Sequence, residues 1–444
     1  MKREFISGIA IIMTALLLGG CGETVSSSSA IPSTASSAIS STASSAISST
    51  ASSVISTKDD SPRGEILSVD DPSSEPITEP EPAPDPDAPL RDLIASMTLE
   101  QKIAQMTMPA FNIWDAEVEA CFKELQPGGV ILFAKNCQDP ESLTTLTSTL
   151  HENALESEHN IPLLIAIDQE GGIVTRIKFE REYPGAAEIA ETGDPGKAYE
   201  NGLLIGKELV KYGIDVDFAP VMDVNSNPDN PVIGSRSFSD NADTVSEFGV
   251  QMLNGLADSG VIGCLKHFPG HGDTSTDSHT GLPRVDKTLD ELRELELIPF
   301  KAGIDAGAKM IMTAHIEFPN IESDTFRPIY SSNSEERHTL PATLSKTLLT
   351  DVLRGELGFE GVIITDSLEM KAIASNILLY DATVLSVNAG ADLMLIPVRI
   401  TDSKSIDAYR TYIKVIADRI RAGEITESRI DESVLRILKL KGLK

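Results

Sequence analysis

The sequence predicts a (β/α)8 TIM barrel with a polar site at one end, and three observations lead there. Eight short apolar runs recur along the chain, with segments of helical periodicity between most of them. Polar and ionisable residues stand at or just past the carboxyl ends of those runs, the face at which barrel enzymes assemble their sites. The run Lys266-His267-Phe268-Pro269-Gly270-His271-Gly272-Asp273-Thr274-Ser275-Thr276-Asp277-Ser278-His279 places three histidines in fourteen residues, which core packing does not require.

The folded domain is expected over residues 90–444. Its first segment, 92–106, is amphipathic, with apolar residues at Leu93, Ile94, Met97, Leu99 and Ile103. Strands are expected at 105–109, 129–133, 163–168, 215–220, 261–267, 310–315, 362–366 and 393–396. Each is short, apolar and in most cases β-branched. Helices are expected at 289–306 and 344–357, and 405–422 and 427–440 look like closing helices. A single series of βα units closes into a barrel; an open doubly wound sheet is the alternative. Length and composition permit either, since 444 residues at 41% hydrophobic can bury a large core.

The first 21 residues read as an address. A basic start (Lys2, Arg3) precedes an apolar run to Leu18, and Gly19-Gly20-Cys21 follows. The Leu18–Cys21 ending resembles a bacterial lipobox, so Cys21 is the expected lipid attachment. Acyl chains contribute roughly 0.8 kcal/mol per buried methylene, and several together anchor stably. Residues 22–89 form the expected disordered linker. Three near-copies of Ser-Thr-Ala-Ser-Ser-Ala-Ile-Ser occupy 33–56, and an Asp/Glu/Pro-rich stretch runs from 59 to 89. The first is too polar to bury a core, and the second is stiffened by charge and proline. The expected location is extracytoplasmic, tethered to the cell membrane.

Net charge of −30 with a pI near 4.6 argues against nucleic acid, which needs a basic face. Four cysteines are too few for a disulfide scaffold. Cys121, Cys137 and Cys264 are expected as ordinary thiols, with a bridge between the first two as the lesser possibility.

Asp366 ends an apolar strand, where a carboxylate suits a nucleophile or a metal ligand; an N-cap for the next helix is the plainer use. Asp168, in Ile167-Asp168-Gln169-Glu170-Gly171-Gly172, could accept hydroxyl hydrogen bonds, and the two glycines allow close approach of a ligand. Arg176 follows on the next turn. Arg236 lies among Gly and Ser, a context that favours its pointing into a site. In the histidine loop, His271, Asp273, Asp277 and His279 include metal-ligand types. The preferred reading is a dyad in which Asp277 fixes the tautomer of His279 for acid–base work near neutral pH.

These motifs resemble the family-3 glycoside hydrolases of the β-N-acetylglucosaminidase branch. The resemblance rests on Lys266–Gly272 with Asp277-Ser278-His279, on Ile167–Gly172, on Phe218-Ala219-Pro220-Val221-Met222-Asp223-Val224, and on Ile364-Thr365-Asp366-Ser367-Leu368, in family order from about residue 90 to 444. It implies a barrel that hydrolyses β-linked N-acetylglucosamine with retention, without cofactor or metal. Asp366 would be the nucleophile, with His279 and Asp277 as acid–base. Asp168, Arg236, Lys266 and His267 would hold the sugar, and Arg176 would support Asp168. An imidazole base carries no negative charge, so anionic acceptors such as phosphate are expected to be tolerated. Family β-glucosidases take their acid from a second domain, for which the residues after the eighth strand leave no room; that reading is weakened accordingly. A metal-dependent hydrolase and a sugar-binding lipoprotein on an inactive barrel are the other classes. The expected partners are a carbohydrate, from cell-wall muropeptides or chitin-type oligosaccharides, and a membrane reached through Cys21, with the chain a monomer.

Overall fold

The computed structural model describes residues 85–443. Cys21, the octads and the acidic stretch up to residue 84 lie outside the described residues.

Eight parallel strands form the barrel. They are β1 (Thr107–Phe111), β2 (Gly129–Ile131), β3 (Leu164–Ile167), β4 (Val216–Asp217), β5 (Ile262–Phe268), β6 (Met310–Thr313), β9 (Val362–Ile364) and β10 (Met394–Ile400). A two-stranded antiparallel hairpin, β7 (Thr325–Phe326) with β8 (His338–Thr339), is inserted between β6 and β9. The strand order is β10-β1-β2-β3-β4-β5-β6-β9. A parallel bridge between Ile364 and Leu393 joins β9 to β10 and completes the ring. Every residue of β1, β2, β3, β6 and β9 is buried. That is why these strands read as unbroken apolar runs: side chains pack both inside the ring and against the outer helices.

All eight expected strands are present, with ends shifted by a few residues. The helices divide more finely than their periodicity suggests. The segment expected as one helix is two, Ala88–Ser96 and Leu99–Gln105. Thr98 separates them, because its hydroxyl accepts from Gln101 N–H at 3.2 Å while Gln101 Oε1 accepts from Thr98 N–H at 2.8 Å. That reciprocal cap starts a new helix. The expected 289–306 helix likewise splits into Leu289–Glu294 and Leu297–Asp305.

Two long outer helices, Gly196–Lys211 and Ala242–Ser259, cross at nearly van der Waals distance. A Cβ at Gly202 would stand 2.3 Å from Met252 O, and one at Gly255 2.2 Å from Tyr199 O, so glycine at both positions sets the spacing. Helices Ser403–Arg421 and Glu427–Leu440 close the outer layer. Cys121, Cys137 and Cys264 are buried free thiols, so the Cys121–Cys137 bridge is not formed. Among the described residues, no helix is long and apolar enough to cross a membrane.

Candidate active site

The carboxyl ends of β2, β3, β5, β6, β9 and β10, with the loops beyond them, enclose a cavity of about 490 Å³. That size suits a small ligand. Asp168, Arg176, Arg236, Lys266, His267, His279 and Asp366 all line it. Asp168 follows β3 directly, Lys266 and His267 belong to β5, and Asp366 lies two residues past β9. Arg236 ends a single helical turn, Gly234–Arg236, in the loop after β4.

At its base is a buried ionic network. Lys266 Nζ, on a side chain only 2% exposed, donates to Asp168 Oδ1 at 3.0 Å and pairs with Glu170 Oε1 at 2.6 Å. Arg176 Nη2 reaches Asp168 Oδ2 at 3.0 Å. Arg236 grips Glu170 with two parallel bonds, Nη2 to Oε1 at 2.7 Å and Nε to Oε2 at 2.9 Å. Burial alone would raise the pKa values of both carboxyls. For Asp168 the Lys266 and Arg176 charges outweigh it, and for Glu170 those of Lys266 and Arg236 do, so both are held below the usual range. Burial would lower the Lys266 ammonium; Asp168 and Glu170 turn that into a rise, so it stays charged. Three cations face two carboxylates, which leaves one positive charge over on the wall of the cavity that also holds Asp366. Beneath lies Asp217, fully buried, its Oδ1 accepting from Gln169 N–H at 2.9 Å. Burial pushes its pKa well up.

A second group orients the histidines. Asp223 accepts from His267 Nδ1 at 2.7 Å and from the His267 and His271 backbone N–H groups at 3.1 and 2.7 Å. With Nδ1 occupied, His267 has Nε2 left for a ligand. His271 bonds Thr274 Oγ1 through Nδ1 at 2.9 Å and Ser278 Oγ through Nε2 at 3.1 Å. Burial, followed by repulsion from His267, lowers it to about 4, so it is a neutral strut under the loop.

Asp277 and His279 sit at the lip. Asp277 Oδ1 accepts from His279 N–H at 2.8 Å and lies 2.9 Å from Nδ1. Burial would raise Asp277, but the bonds from the His279 backbone and ring hold it low. The imidazole is 66% exposed, at the opening of the cavity. The loop's base is tied down by Lys287, whose Nζ lies 3.3 Å from Asp273 Oδ2 and also pairs with Glu296. The Ala372 N–H donates to Ser278 O at 3.2 Å on the other side. Asp366 Oδ1 accepts from Ser367 N–H at 2.7 Å. Among the described residues no three His, Cys, Asp or Glu side chains gather as metal ligands would.

Sequence reasoning placed Asp223 at a strand tip without giving it a role, and left out Glu170 and the Glu369–Arg399 pair on the rim, joined at 2.8 and 3.1 Å. Arg399 also stacks over Phe133 at 4.6 Å. His315, at a strand tip, is taken up by structure: Nδ1 bonds Thr343 Oγ1 at 2.8 Å and Nε2 bonds Ser367 O at 3.0 Å. Asp168, expected with both oxygens open to hydroxyls, already has a cation on each.

A closed parallel barrel with an ionic network and carboxylates at its strand tips has the layout of a barrel enzyme. The family model for the glycosyl hydrolase family 3 N-terminal domain matches residues 98–440, and the chain belongs to that family. It is 42% identical over 320 residues to β-hexosaminidase A of Pseudoalteromonas piscicida, covering 71% of this chain and 53% of that protein. It is 34% identical to a β-hexosaminidase of Chromobacterium violaceum, covering 68% of this chain and 80% of that one. A solved family-3 β-N-acetylglucosaminidase from Paenibacillus sp. superposes with a TM-score of 0.71 at 40% identity, covering 78% of this chain and 62% of that one. The chain thus spans about half the length of the first of these relatives.

Proposed function

We propose that this chain is a retaining, exo-acting β-N-acetylglucosaminidase. The observation that carries this is that the Asp366 carboxylate and His279, which Asp277 holds through Nδ1, line one cavity together with the ionic network around Lys266. Relatives named β-hexosaminidase support the choice of sugar.

In this mechanism Asp366 attacks the anomeric carbon and forms a glycosyl-enzyme ester. Asp277 occupies His279 Nδ1, which leaves Nε2 to protonate the departing oxygen and then to take a proton from the attacking water. The acid is an imidazole where most retaining glycosidases use a second carboxylate. Asp168, Lys266, His267 and Arg236 hold the terminal sugar's hydroxyls, and Arg176 steadies Asp168. Oxocarbenium-like positive charge develops beside the Asp366 carboxylate, which offsets it, while the network holds the hydroxyl-binding groups in fixed positions.

The proposed setting is the cell envelope, with Cys21 acylated and the monomeric catalytic domain held off the membrane by residues 22–89. Cell-wall muropeptides or chitin-type oligosaccharides are the substrates within reach there. The test is hydrolysis of a chromogenic β-N-acetylglucosaminide with and without EDTA, for the chain and its Asp366→Asn and His279→Ala variants. Activity that survives chelation and collapses in both variants is expected. Activity lost to EDTA would overturn the mechanism, and turnover of a β-glucoside alone would overturn the sugar.

A further inference from the structure

A second cavity, of about 740 Å³, opens at the amino-terminal end of the barrel, away from the candidate active site. Lys309 and Gly361, the residues before β6 and β9, line it together with Arg354 and Arg436. Behind it Asp392, with no exposed surface, accepts from Arg354 Nη2 at 2.5 Å, Arg436 Nη1 at 3.1 Å and Arg429 Nη2 at 3.3 Å. Its other contacts are neutral, Ser433 Oγ at 2.8 Å and Ile363 N–H at 3.0 Å. One carboxylate therefore faces three guanidinium groups whose side chains are only 16, 28 and 17% exposed. Two positive charges are left over in a partly dehydrated place, where unpaired charge is costly.

The protein does not offset them from within. Arg354 gives its remaining bonds to Phe359 O and Gly361 O. Arg429 gives its own to Val387 O, Ala391 O and Ser433 Oγ. The Arg436 side chain bonds only Asp392, and the exposed Lys309 side chain bonds nothing, among the described residues. Glu360 and Glu432 also line the cavity but form no ion pair among those residues. Arg91 and Lys439 on the rim are taken by Asp85 and Asp87, at 3.0 and 2.6 Å. Burial, which the attraction of Asp392 opposes and repulsion from Arg436 and Arg429 reinforces, brings Arg354 down to about 10. It stays charged at neutral pH.

We propose that this cavity binds a phosphate-bearing anion, held by Arg436 and Lys309, with Arg354 contributing positive charge beside them. Planar guanidinium forks match tetrahedral oxyanions in pairs, and a lysine adds a point charge. A chain of net charge −30 repels anions over most of its surface, so saturable binding marks a built site. The inference does not depend on the glycosidase function.

The test is calorimetric titration of the full chain with inorganic phosphate and, in parallel, glycerol phosphate. It is run on the wild type and on the Lys309→Ala and Arg436→Gln variants, with N-acetylglucosamine present to fill the catalytic cavity. One saturable site is expected, weakened several-fold by Lys309→Ala and at least tenfold by Arg436→Gln, with glucosaminide hydrolysis unchanged by either. Tighter binding of the ester makes the ligand a phosphate monoester, and equal binding makes it free phosphate; both support the site. No saturable binding, or affinities within twofold across wild type and the well-folded Lys309→Ala variant, would overturn it.

Discussion

Replacing Lys266 with methionine keeps the aliphatic stem and removes the one cation shared by Asp168 and Glu170. Removing one partner of a buried ion pair costs about 3–5 kcal/mol, because the remaining charge has no counterpart. Lys266 is 2% exposed and its carboxylate partners 16 and 7%, so solvent can do little to relieve them. Arg176 and Arg236 still hold one carboxylate each, which places the expected loss at the lower end, about 3 kcal/mol. At about 2 °C per kcal/mol for a domain of this size, the midpoint falls by roughly 6 °C. The sign with pH is set by the direction of the shifts. Asp168 and Glu170 are depressed in the folded state, so their pairing stabilises fully above the unfolded values near 4 and is lost as pH falls through the folded ones. The penalty should therefore be largest at neutral pH and shrink below about pH 4. Calorimetric melts of both proteins from pH 3 to 8 measure it, and glucosaminide turnover should drop about 10²–10³-fold for loss of one preorganised donor. A penalty that stays constant across that range, or lies under about 1 kcal/mol, would refute the coupling derived for this network.

If His279 is the acid, Asp277→Asn and His279→Ala should slow glucosaminides with poor leaving groups far more than those with nitrophenyl leaving groups, by about 10²–10⁴-fold against much less. Equal losses on both, in steady-state kinetics, would remove His279 from that role. Lys287→Ala should loosen the base of the same loop and lower kcat several-fold; an unchanged kcat would show that the Asp273 tie is idle. A Cβ at Gly272 would stand 1.7 Å from Val224 O, so Gly272→Ala must displace backbone beneath the loop. A cost of about 1–3 kcal/mol is expected in denaturant titration, with activity falling alongside. Since an imidazole base does not repel anions, phosphate buffer should yield some N-acetylglucosamine 1-phosphate by chromatography. None, with unchanged turnover, would show that the acceptor subsite excludes anions.

The ring of strands was legible because each strand is covered on both sides and must be apolar along its whole length. Asp168, Lys266, His267 and Asp366 were legible because they interrupt that pattern where a strand ends. Helix ends were less so, although the Thr98–Gln101 cap that splits the first helical segment is written in the sequence as Thr-x-x-Gln. The β7/β8 hairpin carries only two residues per strand, too few for any periodicity. Pairing between strand tips was not legible at all. Glu170 looks like an ordinary loop acid until the barrel brings it to Lys266, 96 positions along the chain, and Asp223 has no visible tie to His267 before the loop after β4 folds back over β5.

That hidden pairing changes what the site can do. A sequence view gives Asp168 two open oxygens waiting for sugar hydroxyls, but the structure gives each oxygen a cation. A carboxylate oxygen keeps a second lone-pair direction, so Asp168 can accept a hydroxyl without giving up Lys266 or Arg176. Its direction is then fixed by the two cations before any ligand arrives. The same logic separates the two ends of the barrel. At the carboxyl end the surplus positive charge shares its cavity with the Asp366 carboxylate. At the amino end the surplus around Asp392 borders a cavity in which Lys309 is unpaired and Glu360 and Glu432 form no ion pair among the described residues. A cation surplus that the chain's own carboxylates leave unpaired calls for an anion from outside.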